Sequence, residues 1–414
     1  MPISRHSLHT MFSTTLTITT PTAMLAFALP AVANPDPDDW QSVVAEAEGQ
    51  TVYWNAWGGD THTNRYINWV AKQTQAQYGI DVQHVKLDDT GSAVARVLAE
   101  RQAGNHAEGS IDLIWINGEN FAAMRESDLL FGPFAESLPN FALTNAADNP
   151  EVVTDFTLPT EGYESPWGKA QITFFYDSAQ TKTPPQDMQA LLAWAKANPG
   201  QFSYPRIPDF TGSTFLKQAL IELSEQDEAL YQPVSESDFE AVTEPLWAYL
   251  DALHPHLWRS GRAFPDSGPN LRTLMSDGEL SLAFSFYPTD AAMAAMEYEL
   301  PESVRSYVLE GGTLGNVHFV AIPYNSSHKA GAMVLADYLL TPQAQAEKQS
   351  LSMWGDRSVL DIGQLSADDQ ALFEQAERHP SELPANALSN TLPEPHPSWM
   401  NALQDAWLER YGVN

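Results

Sequence analysis

The 414-residue chain contains no cysteine. That absence excludes disulfides, thiolate metal sites, cysteine nucleophiles and lipid attachment through an N-terminal cysteine. Basic residues are scarce: 21 Lys and Arg stand against 53 Asp and Glu, a formal charge of −32. Nucleic-acid binding and adsorption to anionic lipid both need a basic face, so the composition argues against both partners. The acidity has two readings, a solvated self-repelling surface and adaptation to a salty exterior, and neither identifies a ligand. Hydrophobic residues make up 43% and aromatics 11%, too much for a disordered chain. The length predicts two or three domains.

Familiar catalytic signatures are also missing. The sequence has no G-x-x-x-x-G-K-[ST] phosphate loop, no G-x-S-x-G elbow and no H-E-x-x-H zinc helix. Gly311-Gly312 with Gly315 fails the G-x-G-x-x-G spacing. His254-Pro255-His256 with Asp251 has the H-x-H form of a metal site, but no third histidine is near, and a turn at a helix end is the expected reading. No enzyme activity, cofactor or metal is expected.

Long hydrophobic runs are absent beyond residue 33, where none approaches the ~20 residues that span a bilayer. Residues 1–33 read as a cleaved signal peptide: Arg5 and His6 make a positive start, residues 11–33 carry no charge, and Ala31-Val32-Ala33 is an A-x-A cleavage signature. The product is expected to be exported to the periplasm.

The remainder of the chain has α/β grammar. Thr51 to Ala56 is a predicted strand, with a Gly58-Gly59-Asp60 loop after it and then a helix from about His62 to Gln77. Ile80 to Lys86 and Ile111 to Ile116 are further strands, the second an apolar run of the kind a buried parallel sheet requires. Ile172 to Tyr176, Leu280 to Phe286 and Val317 to Ile322 repeat the pattern later, with helices between. Asp209 to Ser213 reads as a polar loop feeding a helix from about Thr214. Thr341-Pro342 opens another helix, and the last runs from Trp399 to Arg410.

Open α/β sheets bind ligands outside the carboxyl ends of their strands, and five loops fit that place. Trp54, Asn55, Trp57, Gly58 and Asp60 offer stacking faces, close backbone approach and a counter-charge for a cation. Asn117 and Glu119 open a helix, where capping is the plainer reading of Asn117. Trp167 precedes a strand, and Thr211, Ser213 and Thr214 sit where free N–H groups and hydroxyls would suit an anion or simply cap the helix. Tyr287 and Asp290 carry the same ambiguity.

Val52 to Gly58, Ile111 to Gly118, Pro166-Trp167-Gly168 before Ile172 to Asp177, Val317 to Pro323, and Ala336-Asp337-Tyr338-Leu339-Leu340-Thr341-Pro342-Gln343-Ala344-Gln345 together resemble an extracellular solute-binding protein of an ABC importer. The nearest branch holds thiamine, polyamine and ferric-iron binders. The resemblance implies a two-lobed periplasmic-binding-protein-like fold of type II, with lobes joined by crossover strands and a solute between them. It places lobe one at 34–167 plus 318–350 and lobe two at 168–317 plus 351–414. It implies hinge closure, a permease in the inner membrane as partner, and a monomer. No Tyr-Tyr pair is present, which lowers iron. A thiamine-like or polyamine cation suits Trp54, Trp57, Trp167 and Tyr287, with Asp60, Glu119 or Asp290 as counter-charge. An oxyanion would suit the 211–214 helix start beside Lys169 or Arg65, a zwitterion would use both, and a secreted hydrolase is the competing class.

Overall fold

The computed structural model describes residues 34–374 and 378–412. The expected signal peptide, residues 1–33, lies outside them. Helices and strands alternate first: α1 (Trp40–Ala47), β1 (Thr51–Trp57), α2 (Thr61–Tyr78), β2 (Asp81–Leu87), α3 (Gly91–Gln102), β3 (Leu113–Ile116) and α4 (Gly118–Glu126). A small antiparallel hairpin, β4 (Thr154–Asp155) with β5 (Leu158–Pro159), precedes the long β6 (Glu164–Gln171), which leads into β7 (Thr173–Asp177). The middle of the chain holds α5 (Met188–Ala197), α6 (Phe210–Leu223), α7 (Phe239–Leu253), α8 (Gly268–Ser276), β8 (Leu282–Ser285), α9 (Asp290–Met296) and β9 (Val304–Tyr307). The long β10 (Thr313–Ala321) then returns, and α10 (Lys329–Leu339), α11 (Pro342–Gln349), α12 (Ala367–Glu374), β11 (Thr391–Leu392) and α13 (Ser398–Tyr411) complete the chain.

Local chemistry accounts for the boundaries. Asp60 caps α2 by accepting from the N–H groups of His62 and Thr63, at 2.8 and 3.2 Å, and Gly79 ends it at φ 70°, a conformation open to glycine. Thr341 caps α11 by accepting from Ala344 N at 3.2 Å, with Pro342 in the first turn.

Two sheets result. In the first, β2, β1 and β3 pair in parallel, and β10 joins antiparallel between β3 and β6. In the second, β7 lies between β8 and β9, antiparallel to both. Each sheet has its own hydrophobic core. The first contains Trp54, Tyr66, Ile114, Trp167, Val317 and Val334 among others. The second contains Ala170, Phe174, Phe215, Phe284, Leu314 and Trp407. Consequently β6 enters the first core at Trp167 and the second at Ala170, and β10 makes the reverse passage between Leu314 and Val317. These adjacent antiparallel strands are the crossovers between two lobes, and their register breaks between His318 and Phe319.

One boundary differs from expectation. The resemblance assigns residues 351–374 to lobe two, yet Met353, Trp354, Val359, Leu360, Leu365 and Phe373 pack in the first core. The chain joins the second core again only at Leu392, with α13 after it. The reason is apolar: this polar-looking stretch carries enough large side chains to cover the α2 side of the first sheet, where Trp354 meets Tyr66 at 5.7 Å between ring centroids.

A buried ion cluster sits beside the crossover. Asp356 pairs with Lys348 at 2.8 Å and with His318 at 3.1 Å, and Lys348 and Asp356 are fully buried. A Cβ at Gly168 would overlap both Asp356 Oδ2 and His318 Nε2. Both atoms belong to the buried cluster, so neither can give way without loosening it. Gly168→Ala is therefore expected to lower stability by about 1–3 kcal/mol. Urea unfolding measures this; a midpoint equal to that of the parent protein would contradict the packing described.

Candidate functional site: an acidic, aromatic cleft

The facing ends of the two lobes enclose a cavity of about 620 Å³, a size that takes a small organic molecule. Lobe one contributes Trp57, Asp60, His62, Asp88, Asp89, Trp115, Asn117, Glu119 and Trp354. The crossovers contribute Ala170, Asn316 and His318. Lobe two contributes Arg206, Asp209, Phe210, Thr211, Asp266, Arg272, Phe286, Tyr287, Asp290 and part of α13.

Strand geometry sorts the tryptophans. Residues three apart on a strand face opposite sides, so of the pair in β1 Trp54 is fully buried in the core while Trp57 lines the cavity. Trp167 is likewise fully buried. It lies edge-on to Trp54 and Trp115, at 5.3 and 4.8 Å between ring centroids, and tilted against Trp354 at 5.3 Å. Trp115 and Trp354 are thus the cavity wall, and Trp167 is the layer beneath. The expectation that Trp54 and Trp167 cage a ligand is corrected accordingly. Asn55 is also buried, and neither it nor Gly58 reaches the lining.

The helix start on lobe two also differs from expectation. Asp209 is the N-cap, and α6 begins at Phe210 rather than near Thr214. Asp209 Oδ1 accepts from Gly212 N at 3.1 Å. Ser213 Oγ donates to Asp209 O at 3.0 Å, and Thr214 Oγ1 to Phe210 O at 2.7 Å. One turn of helix folds both hydroxyls onto their own backbone, so only Thr211 of the three lines the cavity. Phe210 comes with it and meets Phe286 edge-on at 5.4 Å.

The charged groups divide into two sets. Arg272 on α8 is hydrogen-bonded to Asp290 and lies 3.1 Å from Glu299 and 3.5 Å from Asp60. Burial would raise the Asp60 carboxyl, but His62 and Arg272 outweigh it and bring it down to about 2. Asp60 and Asp290 therefore already have protein partners. On the other wall, Glu119 receives an N–H from Asn120 at 2.9 Å, while its Oε2 is buried with no hydrogen-bond partner. Burial pushes this carboxyl up to about 7, against the pull of Lys217. Asp209 is similarly raised to about 6 by burial.

Sequence reasoning misses Arg272, His62, His318, Trp115 and Trp354. Arg272 lies in a segment without a motif. A histidine within the apolar run of β10 is the one legible signal, since a buried polar side chain on a strand needs a partner. The H-x-H candidate dissolves: His254 is buried against Tyr204, with Nε2 2.6 Å from the tyrosine oxygen, and no metal-binding cluster occurs among the described residues.

Comparisons with known proteins agree with this architecture. Residues 68–361 match the model of the bacterial extracellular solute-binding protein family. Protein YnjB of Escherichia coli K12 is 45% identical over 376 residues, covering 91% of this chain and 95% of its own. Among solved structures, a putative spermidine/putrescine ABC transporter from Listeria monocytogenes aligns with a TM-score of 0.62 at 14% identity, over 88% of this chain and 99% of its own. The periplasmic binding protein AfuA of Actinobacillus pleuropneumoniae, solved with fructose-6-phosphate, aligns with a TM-score of 0.60 at 14% identity, over 88% and 98%. At 14% identity the likeness of those two is one of fold, and it names no ligand for this chain. The chain belongs to the bacterial extracellular solute-binding proteins.

Proposed function

We propose that the solute is a small organic cation, of the thiamine-like or polyamine class, held between Trp57, Trp115 and Trp354 on lobe one and Phe210, Phe286 and Tyr287 on lobe two. We assign residues 35–167 and 318–374 to lobe one, and 168–317 with 378–412 to lobe two. The observation that carries the reading is the imbalance of the walls. Arg272 is matched by three carboxylates and His62 lies between two, whereas Glu119, Asp88 and Asp89 line the cavity and form no ion pair among the described residues. Aromatic faces and an unmatched carboxyl suit a cation. An oxyanion has less to hold it, because the Gly212 amide and the Ser213 and Thr214 hydroxyls at the start of α6 are bonded within the helix. Binding rather than turnover fits the two cleft histidines, which contact carboxylates and no hydroxyl nucleophile. We expect the protein to act as a monomer.

A thermal-shift panel tests the reading. Thiamine or spermidine at about 100 times its dissociation constant is expected to add roughly 2.7 kcal/mol, a rise of a few degrees. Sulfate, phosphonates and ferric iron are expected to leave the transition in place, and a shift confined to the anions would overturn the proposal. Trp57→Ala is expected to weaken the responding cation at least tenfold, about 1.4 kcal/mol. Because Trp57 lines the cavity, this variant should keep its fold; unchanged affinity would remove Trp57 from the site.

A further inference from the structure

On one rim of the cleft the lobes meet through a cluster of charged side chains, beside a hydrogen bond from the Thr289 hydroxyl to Gly355 O and an apolar contact of Ala292 and Met293 with Leu351. Lobe one presents Asp60, His62 and Arg65 at the start of α2. Lobe two presents Arg272 on α8, Asp290 at the start of α9, and Glu297 and Glu299 just beyond its end. His62 Nε2 lies 3.0 Å from Glu297 Oε2, and its Nδ1 lies 3.3 Å from Asp60. Arg65 reaches the other Glu297 oxygen at 3.2 Å and donates to Ser352 O at 2.8 Å. Arg272 reaches back to Asp60 at 3.5 Å. Tyr287, from the loop before α9, approaches the same group, and Asp356 behind it is held by Lys348 and His318.

We infer that this rim is a proton-operated latch: protonated His62 holds Glu297, and with it lobe two, against the start of α2, so acid favours the closed cleft and alkali releases it. The inference deepens the regulation of the proposed binding site; it rests on lobe closure and not on the charge of the solute.

Three observations support it. The side chain of His62 is only 2% exposed, so its contact with Glu297 is poorly screened, whereas the Arg65–Glu297 pair is about two-fifths exposed and weak on its own. Four carboxylates, Asp60, Asp290, Glu297 and Glu299, face two guanidiniums here, so a neutral His62 leaves the closed rim with surplus negative charge. Burial draws the imidazole down, but Asp60 and Glu297 outweigh it and hold it above its ordinary value. The closed form therefore binds the proton more tightly than the open one. Asp60 stays beside His62 in both forms and Glu297 leaves on opening, so closure is favoured in acid and is lost as pH rises through the elevated value.

The absence of native cysteine makes the test direct. Gln75→Cys on α2 and Lys196→Cys on α5, both exposed, carry a dye pair across the cleft. Single-molecule energy transfer on the mature protein without solute reads the ratio of closed to open molecules. Between about pH 5.5 and about pH 8 that ratio is expected to fall at least threefold. Glu297→Gln, at a half-exposed site that spares the fold, is expected to lose most of this dependence. Glu119 on the opposite wall titrates in the same range, so the difference between parent and variant is the measure. A pH-independent ratio in the parent, or an equal slope in Glu297→Gln, overturns the latch. Either failure leaves the cation proposal standing, since no solute enters the measurement.

Discussion

Replacing Trp167 by alanine is expected to cost about 3–5 kcal/mol of folding stability, as truncation of a fully buried tryptophan does. Its ring fills the space between Trp54, Tyr66, Trp115 and Trp354, with centroids 4.8 to 6.3 Å away. Its carbonyl accepts from Gln345 Nε2 at 2.9 Å and from Lys348, which fixes the crossover against α11. Two of its neighbours, Trp115 and Trp354, are cavity wall. The resulting loss of affinity will therefore be indirect and will accompany the loss of stability. Guanidinium unfolding of Trp167→Ala beside Trp57→Ala separates the two roles. A Trp167→Ala protein with parental stability and weakened binding would return Trp167 to the set of ligand contacts.

Lys217→Met is expected to be of similar size, about 3–5 kcal/mol, for an electrostatic reason. Lys217 on α6 and Glu394 after β11 pair at 2.6 Å, and both side chains are essentially without solvent contact. Asn316 on β10 donates to the other Glu394 oxygen at 2.9 Å. The lysine ammonium also lies 4.6 Å from the ring of Phe156. The pair thus ties α6 and β10 to the segment that completes lobe two. Removing the ammonium leaves a carboxylate in an apolar interior with one amide partner. Removing both charges, in Lys217→Met with Glu394→Leu, leaves no such orphan, so the double variant is expected to recover most of the loss. Equal losses in the single and double variants would show that packing, not charge, dominates there.

The frame of the molecule is legible in the sequence because it depends on local signals. Apolar runs mark β1, β3, β8 and β10, Asp60 and Thr341 mark helix starts, and the segments from 52 to 345 carry the family resemblance. The candidate site is legible only in part, because side-chain direction is settled by tertiary partners. Trp54 and Trp57 are alike in sequence, and only the packed helices decide which strand face is core. Ser213 and Thr214 read equally as ligand hydroxyls and as helix caps until the helix extends back to Phe210 and bonds them to its own backbone. Arg272 carries no signal, since its role comes from Asp60, more than two hundred residues away. Trp354 reads as part of lobe two because its burial on the first sheet depends on Tyr66.

The central claim is that a cation binds between the lobes, against Trp57 and Glu119 on one side and Phe210 and Phe286 on the other. Hydrogen–deuterium exchange on the mature protein, with and without the cation that raises its thermal transition, tests this most directly. Slowed exchange is expected together at 57–62 and 117–120 of lobe one and at 209–215 and 285–290 of lobe two. Protection confined to a single lobe, or lying away from all four segments, would contradict it.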